Sequence, residues 1–176
     1  MELPQTAISK LVEPFLAKVG LGVSVIWVLL MAIIVLNVFA RYILSEGRIE
    51  FEEVQWHLYS TGFMLAMAYC VVTDSHIRVD VLHEKFKPET KVLIDLYGYI
   101  LFVLPFVALI LIYGVPFVLY SYETGEVSAS PGGLPFRWLI KSVMLVGFAL
   151  VGLAVVSRCT RLVAYLYERF QKIDSA

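Results

Sequence analysis

Two sets of charged residues could meet at one end of a helical protein. Glu50, Glu52 and Glu53 stand together near the start of one apolar segment, and Arg137 and Lys141 lie one helical turn apart at the start of another. Cations at a helix N-terminus face the positive end of the helix dipole, so a carboxylate partner would offset that cost. We therefore predict that Glu52 or Glu53 pairs with Arg137 or Lys141, within the chain or across an interface. The alternative is separate solvated charges, which contribute little.

A second polar pair, Asn37 and Arg41, lies one turn apart near the end of the first apolar segment. Side chains four residues apart share one face of a helix. Such a pair in a membrane protein is expected to bond to a neighbouring helix or to lipid headgroups, and less often to line a path for a solute.

Catalytic and cofactor chemistry is not indicated. His57 is separated from His76 and His83 by an apolar stretch long enough to cross a bilayer, so the three are not expected to share a metal ion or haem. Cys70 and Cys159 form no CxxC pair. The sequence has no recognisable nucleophile pattern or phosphate-binding glycine loop. We predict no enzyme activity, no metal and no cofactor.

The composition explains where these side chains must be held. The 176 residues are 60% hydrophobic and 16% charged, against about 25% charged in an ordinary soluble domain. That balance is typical of a membrane protein. The 14 Lys and Arg nearly cancel the 15 Asp and Glu, for a net charge of -1, so a basic surface for nucleic acid is not expected.

Uninterrupted apolar runs predict an all-α membrane protein with four transmembrane helices in one domain, residues 1–176. A helix rises about 1.5 Å per residue, so about 20 residues cross the hydrocarbon core. Two runs, Val19 to Ala40 and Val54 to Thr73, have that length without an Asp, Glu, Lys or Arg. The predicted spans are about 19–42, 52–73, 91–122 and 134–158.

The orientation of the spans follows from the basic residues beside them, because positively charged flanks stay on the cytoplasmic side. The N-terminal segment, the connection at 74–95 and the C-terminal tail carry ten Lys and Arg, against four in the other two connections. Both termini are therefore predicted to be cytoplasmic.

Two further patterns concern packing surfaces. Gly62, Ala66 and Cys70 recur every four residues and form a ridge of small side chains on the second span, suited to close approach by another helix of this chain or of a partner. The connection after that span has helically spaced apolar residues with charges on its other faces, which predicts a short amphipathic interfacial helix at about 77–87.

The order of four segments resembles one membrane-protein family. The segments are NVFARY at 37–42, the acid pair Glu52 and Glu53, DSHIRVDVL at 74–82, and GEVSASPGGLPFRWLIKSVMLVGFAL at 125–150. In this order they resemble the small membrane subunit (Q-type) of tripartite ATP-independent periplasmic (TRAP) transporters. The last segment is similar to the mannitol/chloroaromatic branch, some members of which resemble transporters of 2-oxo acids.

The resemblance implies a division of labour in the bacterial inner membrane. A periplasmic substrate-binding protein would capture an organic anion such as a carboxylate. A large membrane subunit, with the sodium and substrate sites, would move it by an elevator motion. The present chain would be a fixed scaffold embedded in lipid, with its outer surface near the docked binding protein.

The resemblance also places three residues, His76, Arg78 and Asp80, on the cytoplasmic interface beside the large subunit. The rival hypothesis is a self-contained exporter or channel, formed as an oligomer of such chains. That protein would be expected to carry an acid or a polar stripe in mid-membrane, and the predicted spans carry no charge there.

Overall fold

The computed structural model describes residues 3–45, 47–75 and 86–174, and their regular structure is entirely helical. The predicted interfacial helix at about 77–87 lies almost entirely outside these residues, as do His76, Arg78 and Asp80. The helices are α1 (Ala7–Ile43), α2 (Ile49–Val72), α3 (Pro88–Gly98), α4 (Leu104–Glu123) and α5 (Arg137–Asp174), and a π-helical segment (Tyr99–Val103) joins α3 to α4.

Helix α1 begins well before the predicted span because its start is capped. Thr6 Oγ1 accepts a hydrogen bond from the Ser9 backbone N–H at 3.2 Å, and Ser9 Oγ accepts one from the Thr6 N–H at 2.9 Å. This reciprocal arrangement satisfies two N–H groups that a helix start otherwise leaves unpaired. Thr6 Oγ1 is also 2.8 Å from Thr160 Oγ1 of α5, so the cap anchors α1 to a second helix.

Prolines mark the third helical segment. Pro88 occupies the first turn of α3, where a missing N–H costs nothing. The π-helical segment ends two residues before Pro105, which has no N–H to donate and therefore disturbs the helix preceding it. Pro116 lies within α4, which is helical on both sides of it.

Three helical stretches of the described chain have the length and hydropathy of membrane spans. They are Ala7–Ile43, Pro88–Glu123 and Arg137–Gln171. The predicted second span does form a helix, α2, with 24 residues, but it is not one of these three. Its first half carries acids and other polar side chains, which lower its hydropathy.

The helices pack into one bundle in which α2 contacts both α1 and α5, and α4 packs on α5. Aliphatic residues from four helices form the main buried cluster: Val12, Leu16, Ala68, Val71, Val107, Val151, Ala154 and Val155. At Gly147 of α5 the absence of a side chain lets the helix approach the backbone of Met64 in α2. The starts of these two helices also lie side by side, since Glu53 of α2 bonds to Leu134 just before α5.

Candidate functional site

The charged residues singled out in the sequence lie at one end of the bundle, here called the loop end. It comprises the end of α1, the start of α2, the connection at 124–136 and the start of α5. The connection contains a tight turn: Gly132 has a φ of +77°, and the Gly133 N–H donates to the Ser130 carbonyl oxygen at 2.9 Å.

Glu53 of α2 organises the 124–136 connection. Ser128 Oγ donates a hydrogen bond to Glu53 Oε1, and the Leu134 backbone N–H donates to Glu53 Oε2 at 2.6 Å. A Cβ at Gly133 would lie 2.4 Å from Ser128 Cβ and 2.9 Å from Glu53 Oε1. Only glycine therefore lets the connection fold this closely around the carboxylate.

The two cations at the start of α5 have a different partner from the one predicted. Lys141 Nζ pairs with Glu126 Oε2, and Arg137 Nε lies 3.8 Å from Glu126 Oε1. Glu52 instead pairs with Arg41 of α1. The predicted direct ion pair between Glu52 or Glu53 and Arg137 or Lys141 is therefore wrong within this chain, because the connection between α4 and α5 supplies its own acid.

A hydrogen-bonded link nevertheless joins Glu53 to Arg137. Arg137 Nη1 donates to Ser128 Oγ at 3.3 Å, and the Ser128 hydroxyl donates to Glu53. Lys141 is only 15% exposed at its side chain, and its Nζ lies 4.1 Å from the centre of the Phe117 ring. The cation–π contact and Glu126 together compensate the ammonium for its lost hydration.

Replacing Glu53 with alanine is expected to release the 124–136 connection. The Leu134 N–H and the Ser128 hydroxyl would lose an ionised acceptor, and charged hydrogen bonds are among the stronger polar contacts. We expect limited proteolysis of this connection to accelerate about tenfold. The matched control is Glu50→Ala, which removes an exposed carboxylate from the first turn of the same helix. Equal rates in both variants would contradict the role given to Glu53.

The Glu126 contacts predict a pH dependence. The Lys141 ammonium, with Arg137 nearby, holds the pKa of the Glu126 carboxyl below its ordinary value of 4.5. The charged form therefore stabilises the folded connection above about pH 4.5, and this contribution is lost as the pH falls through the lowered pKa. We expect Trp138 fluorescence to be flat from pH 7 to 5 and to change below pH 4.5. A Glu126→Gln variant that keeps the whole transition would show that another group titrates.

The Asn37 and Arg41 pair lines a cavity between α1 and α2. Arg41 Nη2 pairs with Glu52 of α2, so Arg41 bonds to a neighbouring helix. Asn37 is buried, and its Oδ1 has no hydrogen-bond partner among the described residues. Gln55 Nε2 of α2 is also buried without a hydrogen-bond partner among the described residues. Gln55 lines the same cavity, whose volume is about 380 Å³. Trp56 forms part of the wall.

A second cavity, of about 420 Å³, lies between α2 and α5 and is lined mainly by apolar side chains. His57 is on its wall, and His57 Nδ1 donates to the Glu53 carbonyl oxygen at 2.6 Å. One ring nitrogen is thus engaged within its own helix, as expected for a histidine in a structural role.

The ridge of small residues on α2 has an internal contact. A Cβ at Gly62 would lie 3.3 Å from the Trp27 ring and 3.4 Å from Ile26, both in α1. Ala66 and Cys70 are partly buried on the same helix. At Gly62, the ridge therefore packs against another helix of this chain.

Sequence reasoning missed the polar contacts at the opposite end of the bundle. Arg161 Nη1 of α5 lies 2.8 Å from Glu13 Oε1 and 3.0 Å from Glu13 Oε2. Its Nη2 donates to the Leu3 carbonyl oxygen at 2.7 Å, and its Nε donates to that of Pro4 at 3.1 Å. One guanidinium thus fastens the segment before α1, and α1 itself, to α5.

A second arginine of α5, which is buried, lies one turn earlier. Arg158 is 9% exposed, and its Nη2 lies 2.8 Å from Asp74 Oδ2, just after α2. The only signal of this pair in the sequence is that Arg158 ends the apolar run of α5. Its partner is not apparent from spacing.

Comparison with known proteins gives a family. Residues 30–164 match the family described as "Tripartite ATP-independent periplasmic transporters, DctQ component". The match covers the last part of α1, all of α2, α3 and α4, the 124–136 connection and most of α5, and so includes the whole loop end. No curated protein and no solved structure matches the chain significantly. The chain therefore belongs to the DctQ family, the small membrane component of tripartite ATP-independent periplasmic transporters.

Proposed function

We propose that this chain is the scaffold subunit of a sodium-coupled, binding-protein-dependent importer of organic anions such as carboxylates. Its large membrane partner would carry the sodium and substrate sites. The observation that supports a scaffold role most directly is the closely packed apolar cluster in the bundle interior, here called the apolar seal, which includes Leu16, Val107 and Val155. Side chains from α1, α2, α4 and α5 close against one another there, and a charged solute would pay a large desolvation cost to pass.

The close helix contacts extend the seal along the bundle. A Cβ at Gly147 would approach the Met64 carbonyl oxygen to 3.1 Å, and one at Gly62 would approach the Trp27 ring to 3.3 Å. At the level of these two contacts no space remains for a substrate between the helices concerned. A rigid, tightly packed bundle suits a frame against which another subunit moves.

The topology we propose has four spans, with α2 crossing the bilayer between α1 and α5. Its 24 residues would extend about 36 Å, enough to cross the hydrocarbon core. The polar side chains of α2 are partly covered by these neighbours and by the 124–136 connection, which reduces the cost of placing a less apolar helix in lipid. Both termini would face the cytoplasm of a bacterial inner membrane.

In this orientation the loop end faces the periplasm, where the substrate-binding protein docks. Glu53 holds the 124–136 connection in one conformation, so that end offers a surface of fixed shape. The resemblance of residues 125–150 to the mannitol/chloroaromatic and 2-oxo acid branch suggests the first substrates to test.

The proposed function is tested by reconstitution. The chain alone, the chain with its large subunit, and both with the binding protein are placed in vesicles with an inward sodium gradient and radiolabelled 2-oxo acids. We expect uptake only in the complete system and only with the gradient. In mild detergent, the large subunit should copurify at one to one.

Uptake or efflux by vesicles that contain this chain alone would overturn the scaffold proposal and favour the self-contained exporter or channel. Full uptake by the large subunit and the binding protein without this chain would also overturn it. Uptake by the complete system without a sodium gradient would reject the proposed coupling and leave the scaffold role standing.

A further inference from the structure

We propose that the cavity between α1 and α2 at the loop end binds the headgroup of an aminophospholipid of the phosphatidylethanolamine class. The site is built by Asn37 and Arg41 of α1 and by Glu52, Gln55 and Trp56 of α2. This inference does not depend on the scaffold role, since it concerns a lipid site on this chain.

Each of two amide side chains that line the cavity has one buried atom without a hydrogen-bond partner among the described residues, and one of these atoms is an acceptor and the other a donor. Asn37 is 7% exposed, and its Oδ1 is an acceptor without a donor among the described residues; Gln55 Nε2 is a donor without an acceptor. Buried polar groups in native proteins are nearly always hydrogen-bonded, so each such exception requires a reason. A ligand with both a hydrogen-bond donor and an acceptor would satisfy both groups.

The two charged residues at the rim of the cavity are likewise one donor, Arg41, and one acceptor, Glu52. Arg41 and Glu52 pair with each other, yet their side chains remain 49% and 47% exposed. Each therefore keeps free hydrogen-bonding capacity beside the amides. A phosphate accepts hydrogen bonds from Arg41 and Gln55, and an ammonium donates them to Glu52 and Asn37. A zwitterionic headgroup matches this neutral pair of charges better than a purely anionic one.

The depth of the cavity suits a headgroup. The apolar run of α1 extends from Val19 to Ala40, so Arg41 marks the level where the hydrocarbon core ends. Tyr42 is 79% exposed, and Trp56 is 69% exposed, and both lie at this level, where such rings collect in membrane proteins. Val38 and Ile34 lie one and two turns deeper on α1 and also line the cavity. Both side chains are half or nearly half exposed, so the cavity extends along them toward the level of the acyl chains.

The amide oxygen of Asn37 discriminates among lipids. A primary ammonium carries three N–H donors, whereas choline carries none, so phosphatidylcholine would leave Asn37 Oδ1 unsatisfied. Phosphatidylglycerol would bring a net negative charge to Glu52. The volume of about 380 Å³ falls within the range of small-ligand sites, about 300–1,000 Å³.

The test uses native mass spectrometry of the chain in complex with its large subunit, delipidated and then titrated with dioleoyl phosphatidylethanolamine. Parallel titrations use dioleoyl phosphatidylcholine and dioleoyl phosphatidylglycerol. We expect the ethanolamine lipid to bind at least about tenfold more tightly than either, the effect of one charge-assisted hydrogen bond. Asn37→Leu, which keeps the shape, should abolish this preference.

Thr61→Val is the matched control, because it removes a hydroxyl of α2 that lines the other cavity, and it should keep the preference. If Asn37→Leu does not fold, Gln55→Met serves instead and should weaken binding of the ethanolamine lipid about tenfold. Equal affinity for the three lipids, a preference for phosphatidylglycerol, or an unchanged preference in the folded Asn37→Leu variant would overturn the proposal. Binding to the isolated chain but not to the complex would overturn it too, since the large subunit would then occupy the cavity.

Discussion

Replacing Gly147 with leucine is expected to abolish recovery of the folded protein. A Cβ at this position would lie 2.9 Å from Met64 Cβ and 3.1 Å from the Met64 carbonyl oxygen. Neither atom belongs to the flexible end of a side chain, so α2 and α5 would have to separate. Overpacking by a single methyl group costs about 1–3 kcal/mol, and leucine adds three more carbon atoms. Size-exclusion chromatography in mild detergent measures the folded fraction.

Gly147→Ala is the graded variant, and it should fold with a lower melting temperature. Gly22→Leu is the matched control, because a Cβ at Gly22 would meet no atom within 4 Å and Gly22 also lies in a long apolar helix. The control should be recovered at the wild-type level. Normal folding of Gly147→Leu would show that the approach of α2 to α5 is not needed for the bundle.

Replacing Arg161 with leucine is expected to destabilise the protein by about 3 kcal/mol, because a partly buried ion pair and two charge-assisted hydrogen bonds to backbone carbonyl oxygens are lost together. The side chains of Arg161 and Glu13 are only 15% and 19% exposed. The variant would leave a shielded carboxylate and two backbone carbonyl oxygens without their donor. Thermal unfolding followed by circular dichroism, with urea titration where unfolding is reversible, measures the loss.

Arg161→Lys separates charge from geometry. Lysine keeps the ion pair with Glu13 but cannot also reach the carbonyl oxygens of Leu3 and Pro4 with a planar fork of donors, so about half of the loss should remain. Arg169→Leu is the control, since Arg169 pairs with Glu89 at 3.1 Å but is 53% exposed, and exposed pairs contribute little. If Arg169→Leu is as unstable as Arg161→Leu, the loss of stability comes from removing a positive charge from α5 and not from losing the contacts of Arg161.

The two variants also bear on function. A scaffold that loses its rigidity should fail to retain its large partner, so Gly147→Ala and Arg161→Lys should lower the recovery of the large subunit in proportion to their lost stability. This relation would distinguish a structural subunit from one with a separate catalytic or transport step, where activity and stability need not fall together.

The sequence predicted the helical class, the membrane character of the chain and the family, because these properties depend on local information. An apolar run without charges forms a helix in lipid whatever its neighbours are. The order of short motifs then indicated the family that the comparison shows. Hydropathy also has a limit here: α2 forms a helix as predicted, yet it is less apolar than the other three.

Pairing between side chains could not be derived in this way. Glu53 and Ser128 are 75 residues apart, and Glu13 and Arg161 are 148 apart. Consecutive side chains differ by about 100° around a helix, so a small error in the rotation of one helix exchanges one partner for another. For Lys141 the path of a loop decided the partner, because the 124–136 connection brings Glu126 to the start of α5.

The sequence by itself thus determined that the chain is a helical membrane protein and to which transporter family it belongs. Only the tertiary structure decided that Glu53 holds a connection instead of a cation, that Gly147 sets the distance between α2 and α5, and that Asn37 and Gln55 share a cavity. Hydrophobicity acts segment by segment, whereas hydrogen bonds and ion pairs require a definite distance and direction between atoms that the folded bundle alone brings together.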